Sequence, residues 1–470
     1  YLAEVNGRYD GTSRFPRGKR YGFFPSFSAA YRISEEAFFE PLRKTVDNLK
    51  IRLSYGSLGN QQIGYYDFIQ TITTKGSMGD YSFDGTILGQ HATVSDPVSG
   101  NQPWETVISQ TLGADLNMFS NRLSLTAHFY IRDTKGILGK GKSLPSIYGA
   151  NEPQVNSNNL RTKGYELVLG WRDSFKLAGS TFSYGITGTF SDYTAEYTKC
   201  DNPSGLIGDP YVGKKYGEIW GYKVDGLFRN DEEAAEYASR VDLSKVAAGY
   251  YSATGAYGKG VRGGDIKYLD LDGSGIVDGG KGTLEDPGDR RVIGNSSPRY
   301  QYGLTLNLSW YGFDLSVFMQ GIGRLDWYPG ADNLRFWGPY SRPYATFIPK
   351  NFMSQVWSES NPDAYLPRAR AYTSLNSTQG TAYYTNDRYL QNLAYCRLKN
   401  LTLGYTIPKR LTSKVGIKEC RVYFSGENLA TWSALKNDFL DPEQAAADSD
   451  KKSNVYPWCR TYSVGLNLTF

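Results

Sequence analysis

Little in this 470-residue sequence is suited to catalysis or to crossing a membrane as a helix. Four cysteines (Cys200, Cys396, Cys420, Cys459) lie far apart with no CxxC pair, which excludes a small disulfide scaffold and the common zinc spacings. Only two histidines occur, His91 and His128, so a His-based triad or His-rich metal site would have to rest on one of them. No run of about 20 apolar residues exists, and a helical membrane span is excluded. An excess of one charge is missing too: 52 basic against 47 acidic residues leave +5 without a concentrated basic patch, so no nucleic-acid partner is expected. Glycine has no period of three and aromatics are plentiful, which removes collagen-like and fully disordered classes. The first residues lack the basic and apolar segments of a secretory signal; 1–15 reads as a glycine-containing strand, either the start of a mature chain or a piece of something longer.

Aromatics and glycine are abundant. Tyrosine alone (38) outnumbers Phe (22) and Trp (9) together, and Gly reaches 52. Such a composition with modest overall hydrophobicity suits long strands with one wet face and one aromatic-banded face. The sequence alternates accordingly. Leu123, Leu125, Ala127, Phe129 and Ile131 are interleaved with Ser124, Thr126, His128 and Tyr130. Successive strand side chains point to opposite faces, so one side is apolar and the other largely polar, and an inward-facing polar residue explains His128. The same period recurs at Leu49–Tyr55, Tyr165–Trp171, Tyr300–Trp310, Leu401–Ile407 and Val464–Phe470. Leu398 falls out of phase, which predicts a bulge near Lys399-Asn400.

About twelve such segments are present, at 9–11 residues each, the length a tilted strand needs to cross a bilayer. Aromatics sit at their ends, as girdle residues do. Connections alternate in length. Short ones fall near Asn121, at 172–180, at Tyr311-Gly312 and at 409–418, with a helical-looking one at 35–47. Long ones fall at 58–102, 136–161, 193–299, 325–387 and 429–460. Short turns on one rim and long loops on the other mark an outer-membrane barrel, whereas a soluble sandwich has no such bias. The expected fold is therefore all-β: an antiparallel transmembrane β-barrel wall with long extracellular loops. Within the loop at 194–298, residues 230–240 carry acidic residues at a helix start.

Several segments resemble one family. They are 49–60 (LKIRLSYGSLGN), 102–106 (QPWET), 121–127 running on to 133–136, 163–167 (KGYEL), 264–278, 293–295, 397–405 (RLKNLTLGY) and 425–429 (SGENL). In this order they resemble the SusC-like TonB-dependent nutrient transporters of Bacteroidetes outer membranes. The resemblance implies a 22-stranded barrel around an N-terminal plug, energised through TonB and capped by a SusD-like lipoprotein. Residues 1–470 would be the C-terminal part of that barrel, about twelve strands, with the plug and first strands absent from this chain. An unpaired strand edge is not tolerated by hydrocarbon, so the missing strands are expected from another chain or fragment; a self-closed twelve-stranded barrel is the alternative.

Asp270, Asp272, Ser274, Ile276 and Asp278 are spaced like an EF-hand-type calcium loop, in which oxygens at positions 1, 3 and 5 and a backbone carbonyl at 7 surround the ion. Lys281 stands where a bidentate Glu belongs, so Asp286 or Asp289 would have to substitute; a polar glycine-rich turn without metal is the alternative. Any calcium would be structural, and no other cofactor is expected. The aromatic cluster Trp327, Tyr328, Phe336, Trp337 and Tyr340, with Tyr344 and Phe347, is expected on the long-loop rim. Packing within the loop or against a partner is favoured over substrate contact. Phe470 fits the C-terminal signal read during outer-membrane assembly, or is simply the last lipid-facing residue. Asp231 with Glu232-Glu233 suits a solvated helix start, Glu105 a rim position, and no nucleophile–base arrangement stands out, so no enzyme is expected. Energy-coupled import of glycans or peptides is the leading function. A passive porin-like or adhesion barrel and an extracellular carbohydrate-binding sandwich are the competitors.

Overall fold

Strict alternation over so many segments becomes a single antiparallel sheet of twelve strands, each paired with its neighbour in sequence. The computed structural model describes the chain except residues 76–81, 84–85, 88–90, 142–143, 252–259, 343, 345, 347, 371–374, 376–379, 437–439, 448–455 and 457. The strands are β1 (Leu2–Gly11), β2 (Tyr21–Arg32), β3 (Val46–Asn60), β4 (Glu105–Met118), β5 (Leu123–Lys140) and β6 (Gln154–Leu177). They continue with β7 (Ser180–Lys199), β8 (Arg299–Trp310), β9 (Phe313–Arg324), β10 (Tyr395–Thr406), β11 (Glu419–Ser433) and β12 (Thr461–Thr469). Strands β1 and β12 are the two edges and do not pair with each other, so the sheet is open and the self-closed barrel is ruled out.

Strand lengths differ from the sequence reading. They run from 9 residues in β12 to 24 in β6 and 20 in β7. The middle strands outgrow the alternating apolar core of each segment because charged cross-strand partners such as Arg161, between Asp133 and Glu196, continue the ladder past it. Loops shorten correspondingly: the connection expected at 172–180 is only Ala178-Gly179, and the one expected at 136–161 begins after Lys140.

The short rim is made by tight turns. Ala178 and Gly179 adopt φ of 49° and 85°, and Tyr311 and Gly312 adopt 49° and 82°. Positive φ at both central residues gives a turn whose twist matches that of the flanking strands, and Gly takes the second position without strain. Between β2 and β3 two short 3₁₀ segments, Ile33–Glu35 and Ala37–Leu42, supply the helical-looking connection. The expected bulge is present: Leu398 and Asn400 pair with both neighbours, and Lys399 is left unpaired.

Packing is inverted relative to a globular protein. Apolar rows lie in register across the sheet, for example Leu53–Leu112–Phe129–Tyr165, and remain uncovered: Leu53 is 58%, Phe129 54% and Leu169 52% exposed. No second sheet packs on them among the described residues, which removes the sandwich. The main hydrophobic core lies in the loops, where Phe228, Leu243, Tyr250, Ile266 and Tyr268 from 200–298 meet Trp337, Tyr389 and Leu393 from 325–394. That core is a headpiece on the long-loop rim. The expected helix within it is α1 (Asp231–Ala238), capped by Asn230, whose side chain accepts the Glu233 N–H at 2.8 Å.

Candidate functional site

The polar face of the wall carries a charged strip. Register places Arg52, Gly113 and His128 in one row and Lys50, Asp115 and Thr126 in the next. Asp115 accepts from Arg52 at 2.8 Å and Lys50 at 3.0 Å, and Arg52 Nη2 lies 3.0 Å from His128 Nε2. A guanidinium only donates, so His128 Nε2 is the acceptor there. His128 is thus a polar-face residue, as its alternation implied. Nearer the short rim, Arg421 Nε donates to Asp314 at 2.9 Å. This face offers matched charges and hydroxyls to whatever fills the space beside it.

At the long-loop rim two of the resembling segments meet. Asn60 Nδ2 donates to Glu105 at 3.1 Å, and Trp104 packs on Phe15 and Phe24 with ring centroids 5.0 and 5.4 Å away. A Cβ at Gly59 would collide with Phe24 and come within 2.7 Å of Trp104, so only glycine lets the indole close over the strand end. Glu105 is the rim residue expected of it.

The headpiece is held by buried polar contacts. Arg370 grips Asp265 with bonds of 2.9 and 2.6 Å, both side chains being almost fully buried, and ties 325–394 to 200–298. Tyr268 donates to the Thr381 carbonyl, while Asn386 Nδ2 donates to the Tyr328 hydroxyl at 3.1 Å. A third connection joins through α2 (Pro442–Ala447): Arg397, fully buried, bonds Asp441 and Glu443, the latter at 2.8 Å. Lys399, released by the bulge, reaches Glu443 at 2.8 and 2.9 Å. A bulge turns a side chain out of the ladder's alternation, and here it adds the second cation to this clasp. Sequence reasoning found the bulge but not its use; two cations flanking a phase slip were the available signal. The Arg370–Asp265 pair left no local signal, since its members are 105 residues apart.

The aromatic cluster is placed differently from a presented surface. Trp327, Tyr328, Phe336, Trp337 and Tyr340 are all buried, Trp337 completely, with Trp337 against Tyr389 at 5.1 Å and Phe336 at 4.7 Å. Of the readings open for them, packing within the loop is the one the structure has: they are the headpiece core, not a face presented to a substrate or partner, because rings this large gain most from mutual burial. Tyr344 does face outward, at 81% exposure, and Phe347 lies outside the described residues.

The acidic loop folds around backbone donors. The carboxylates of Asp270, Asp272 and Asp289 come within 4.8 Å of one another. Asp270 accepts from Gly273 and Gly275 at 2.8 and 2.9 Å, and Asp272 from Ser274 at 2.9 Å. Asp289 accepts from Leu271 at 2.6 Å and Asp278 at 2.9 Å. Two members of the expected ligand set turn elsewhere: Asp278 accepts from Gly280 at 2.7 Å, and Ser274 Oγ donates to the Ile276 carbonyl at 3.0 Å. Asp289, not Asp286, completes the cluster. Burial pushes the Asp289 carboxyl above its ordinary range, and the Ser274 hydroxyl and N–H hold Asp272 below its own. Three carboxylates with free lone pairs fit a hard cation by donor type, although the bidentate ligand of an EF-hand is missing.

Of the remaining residues singled out, Cys200, Cys396 and Cys420 are free thiols and Phe470 is exposed, two residues beyond Leu468. An uncovered apolar wall face, a charged opposite face and a packed headpiece on one rim together define the wall of a transmembrane-type β-barrel. No protein-family model matches the chain. Sequence relatives do: it is 27% identical to TonB-dependent receptor P3 of Formosa agariphila and 22% identical to TonB-dependent receptor SusC of Bacteroides thetaiotaomicron, over the whole chain in each case. The chain spans 44% and 42% of those relatives, somewhat under half their length. The solved structure of the RagAB peptide transporter superposes on all of it with a TM-score of 0.71 at 20% identity, covering 46% of that chain. The likeness to SusC-like TonB-dependent receptors thus extends over all 470 residues, and these relatives are receptors and transporters, not enzymes.

Proposed function

We propose that this chain forms the C-terminal wall and outer headpiece of an outer-membrane barrel that imports large nutrients, glycans or peptides, under TonB control. The observation that carries this reading is the uncovered apolar face. On β6 it runs from Tyr165 to Phe175, about 33 Å along the strand at about 3.3 Å per residue, interrupted toward the short rim by Asp173, which pairs with Arg122 at 3.3 Å. At a strand tilt of about 40° that is a height of about 25 Å, the apolar band of such barrels. Phe175 packs on Phe182 and Tyr165 on Phe190, so both ends of the band are aromatic. Edge strands β1 and β12 present unpaired backbone that hydrocarbon would leave unsatisfied, so further strands close the wall, with a plug against the charged face.

In this reading the headpiece is the extracellular side, where a SusD-like lipoprotein docks, and Phe470 belongs to the assembly signal. Calcium at Asp270, Asp272 and Asp289 orders an external turn. The test is to tag the intact protein in its host, separate the membranes and extract with detergent. Outer-membrane recovery, co-purification of a large surface lipoprotein, and loss of growth on one polymeric nutrient when the gene is deleted are expected. Recovery in the soluble fraction would end the proposal.

A further inference from the structure

One connection of the short rim is basic without matching counter-charge. Between β10 and β11 it carries Lys409, Arg410, Lys414 and Lys418, all exposed, and no acidic residue occurs from Arg388 to Lys418. Two carboxylates stand beside it on the sheet. Asp314 is held by Arg421, and Glu419 points with Arg421 and Tyr423 to the polar face. Lys418 lies between Glu419 and the Phe470 end of β12 and is left out of the count. Among the described residues no carboxylate bonds Lys409, Arg410 or Lys414.

The connection folds toward the apolar side of the wall. Its single helical turn, Lys409–Thr412, packs on β11 with Thr412 buried and Leu411 exposed among the cations. Cys420, on the apolar row of β11, is only 8% exposed, whereas Val422, flanked by Tyr405 and Leu466 in that row, is 40% exposed. Glu419 on the opposite face stays open. Aromatic rings border the cations: Trp310 and Phe313 from the neighbouring turn, and Tyr405, 4.5 Å from Phe313 between centroids. Rings on the apolar face with cations just beyond them match a headgroup layer, where aromatics sit at the interface and cations meet the phosphates.

We propose that this connection binds anionic phospholipid of the leaflet that faces the periplasm, with Lys409, Arg410 and Lys414 on the phosphates. The inference rests on the reading that the headpiece is extracellular, which puts the short rim on the periplasmic side, where the outer membrane's leaflet is phospholipid. Each cation near such a surface favours a charged headgroup about five-fold.

The probe is native mass spectrometry of the intact, detergent-extracted protein titrated with dioleoyl phosphatidylglycerol or dioleoyl phosphatidylcholine. Preferential retention of phosphatidylglycerol is expected, about five-fold for each cation engaged. Lys409→Gln, Arg410→Gln and Lys414→Gln combined abolish the preference. The charge-matched set Lys245→Gln, Lys281→Gln and Lys350→Gln, exposed on the headpiece, leaves it. Equal retention of the two lipids, an unchanged preference in the first set, or displacement of the lipid by inorganic phosphate alone overturns the site while leaving the membrane reading intact. Failure to find the protein in the outer membrane sinks that reading first.

Discussion

Leu169→Arg is the sharpest test of what the uncovered face meets. Leu169 lies on β6, four residues from Tyr165 and six from Phe175, so about 13 Å and 20 Å along the strand from the two aromatic borders. Corrected for tilt, these are depths of about 10 and 15 Å, which places it close to the middle of a 25 Å band. If water bathes this face, an arginine replacing a side chain already half exposed changes stability by no more than about 0.5 kcal/mol. If lipid does, the cost is about 2–4 kcal/mol, a shift of roughly 30- to 900-fold in the folding constant. Val168→Arg is the control, one residue away and on the polar face. The assay is denaturant unfolding of the intact protein in phospholipid vesicles, followed by tryptophan fluorescence. Equal, small effects of the two substitutions would refute the assignment of faces.

Within the headpiece, Arg370→Ala strands the Asp265 carboxylate and should cost about 3–5 kcal/mol; limited proteolysis will then cut 200–298 while the wall keeps its resistance to heat in detergent. Arg397→Met should release α2 from the wall, read as faster amide exchange across Pro442–Ala447 with strands β10 and β11 unchanged. Asp289 titrates above its ordinary 3.8 because it is buried, so the folded loop holds the proton more tightly than the unfolded one. Without calcium its contribution is present below pH 3.8 and lost as pH rises through the shifted value, so Asp289→Asn should raise loop stability at neutral pH in chelator and abolish any gain on adding calcium. Ala178→Gly relieves a left-handed alanine in a two-residue turn, and a gain of about 1 kcal/mol in unfolding is expected.

Alternation made the wall legible, because a period of two survives wherever each face meets one environment along the whole strand. Leu398 even disclosed the bulge. Strand ends were harder: Arg161, Asp133 and Glu196 continue the ladder with charge pairs, and a polar strand looks like a loop. The headpiece was least visible. For Trp337 and Tyr340 the choice between packing within the loop and packing on a partner stayed open, since nothing local reveals that Tyr389, about fifty residues on, covers them. The acidic turn was half legible. Its spacing brought out Asp270 and Asp272, but the third carboxylate depends on how 279–288 folds back, which no spacing rule encodes.

Two cohesive units follow from where the apolar contacts sit. Backbone ladders hold the wall, and packed rings hold the headpiece, so the two need not melt together. Warming should scramble the outer lobe while the staves remain joined, leaving a wall that outlasts the lobe on its rim.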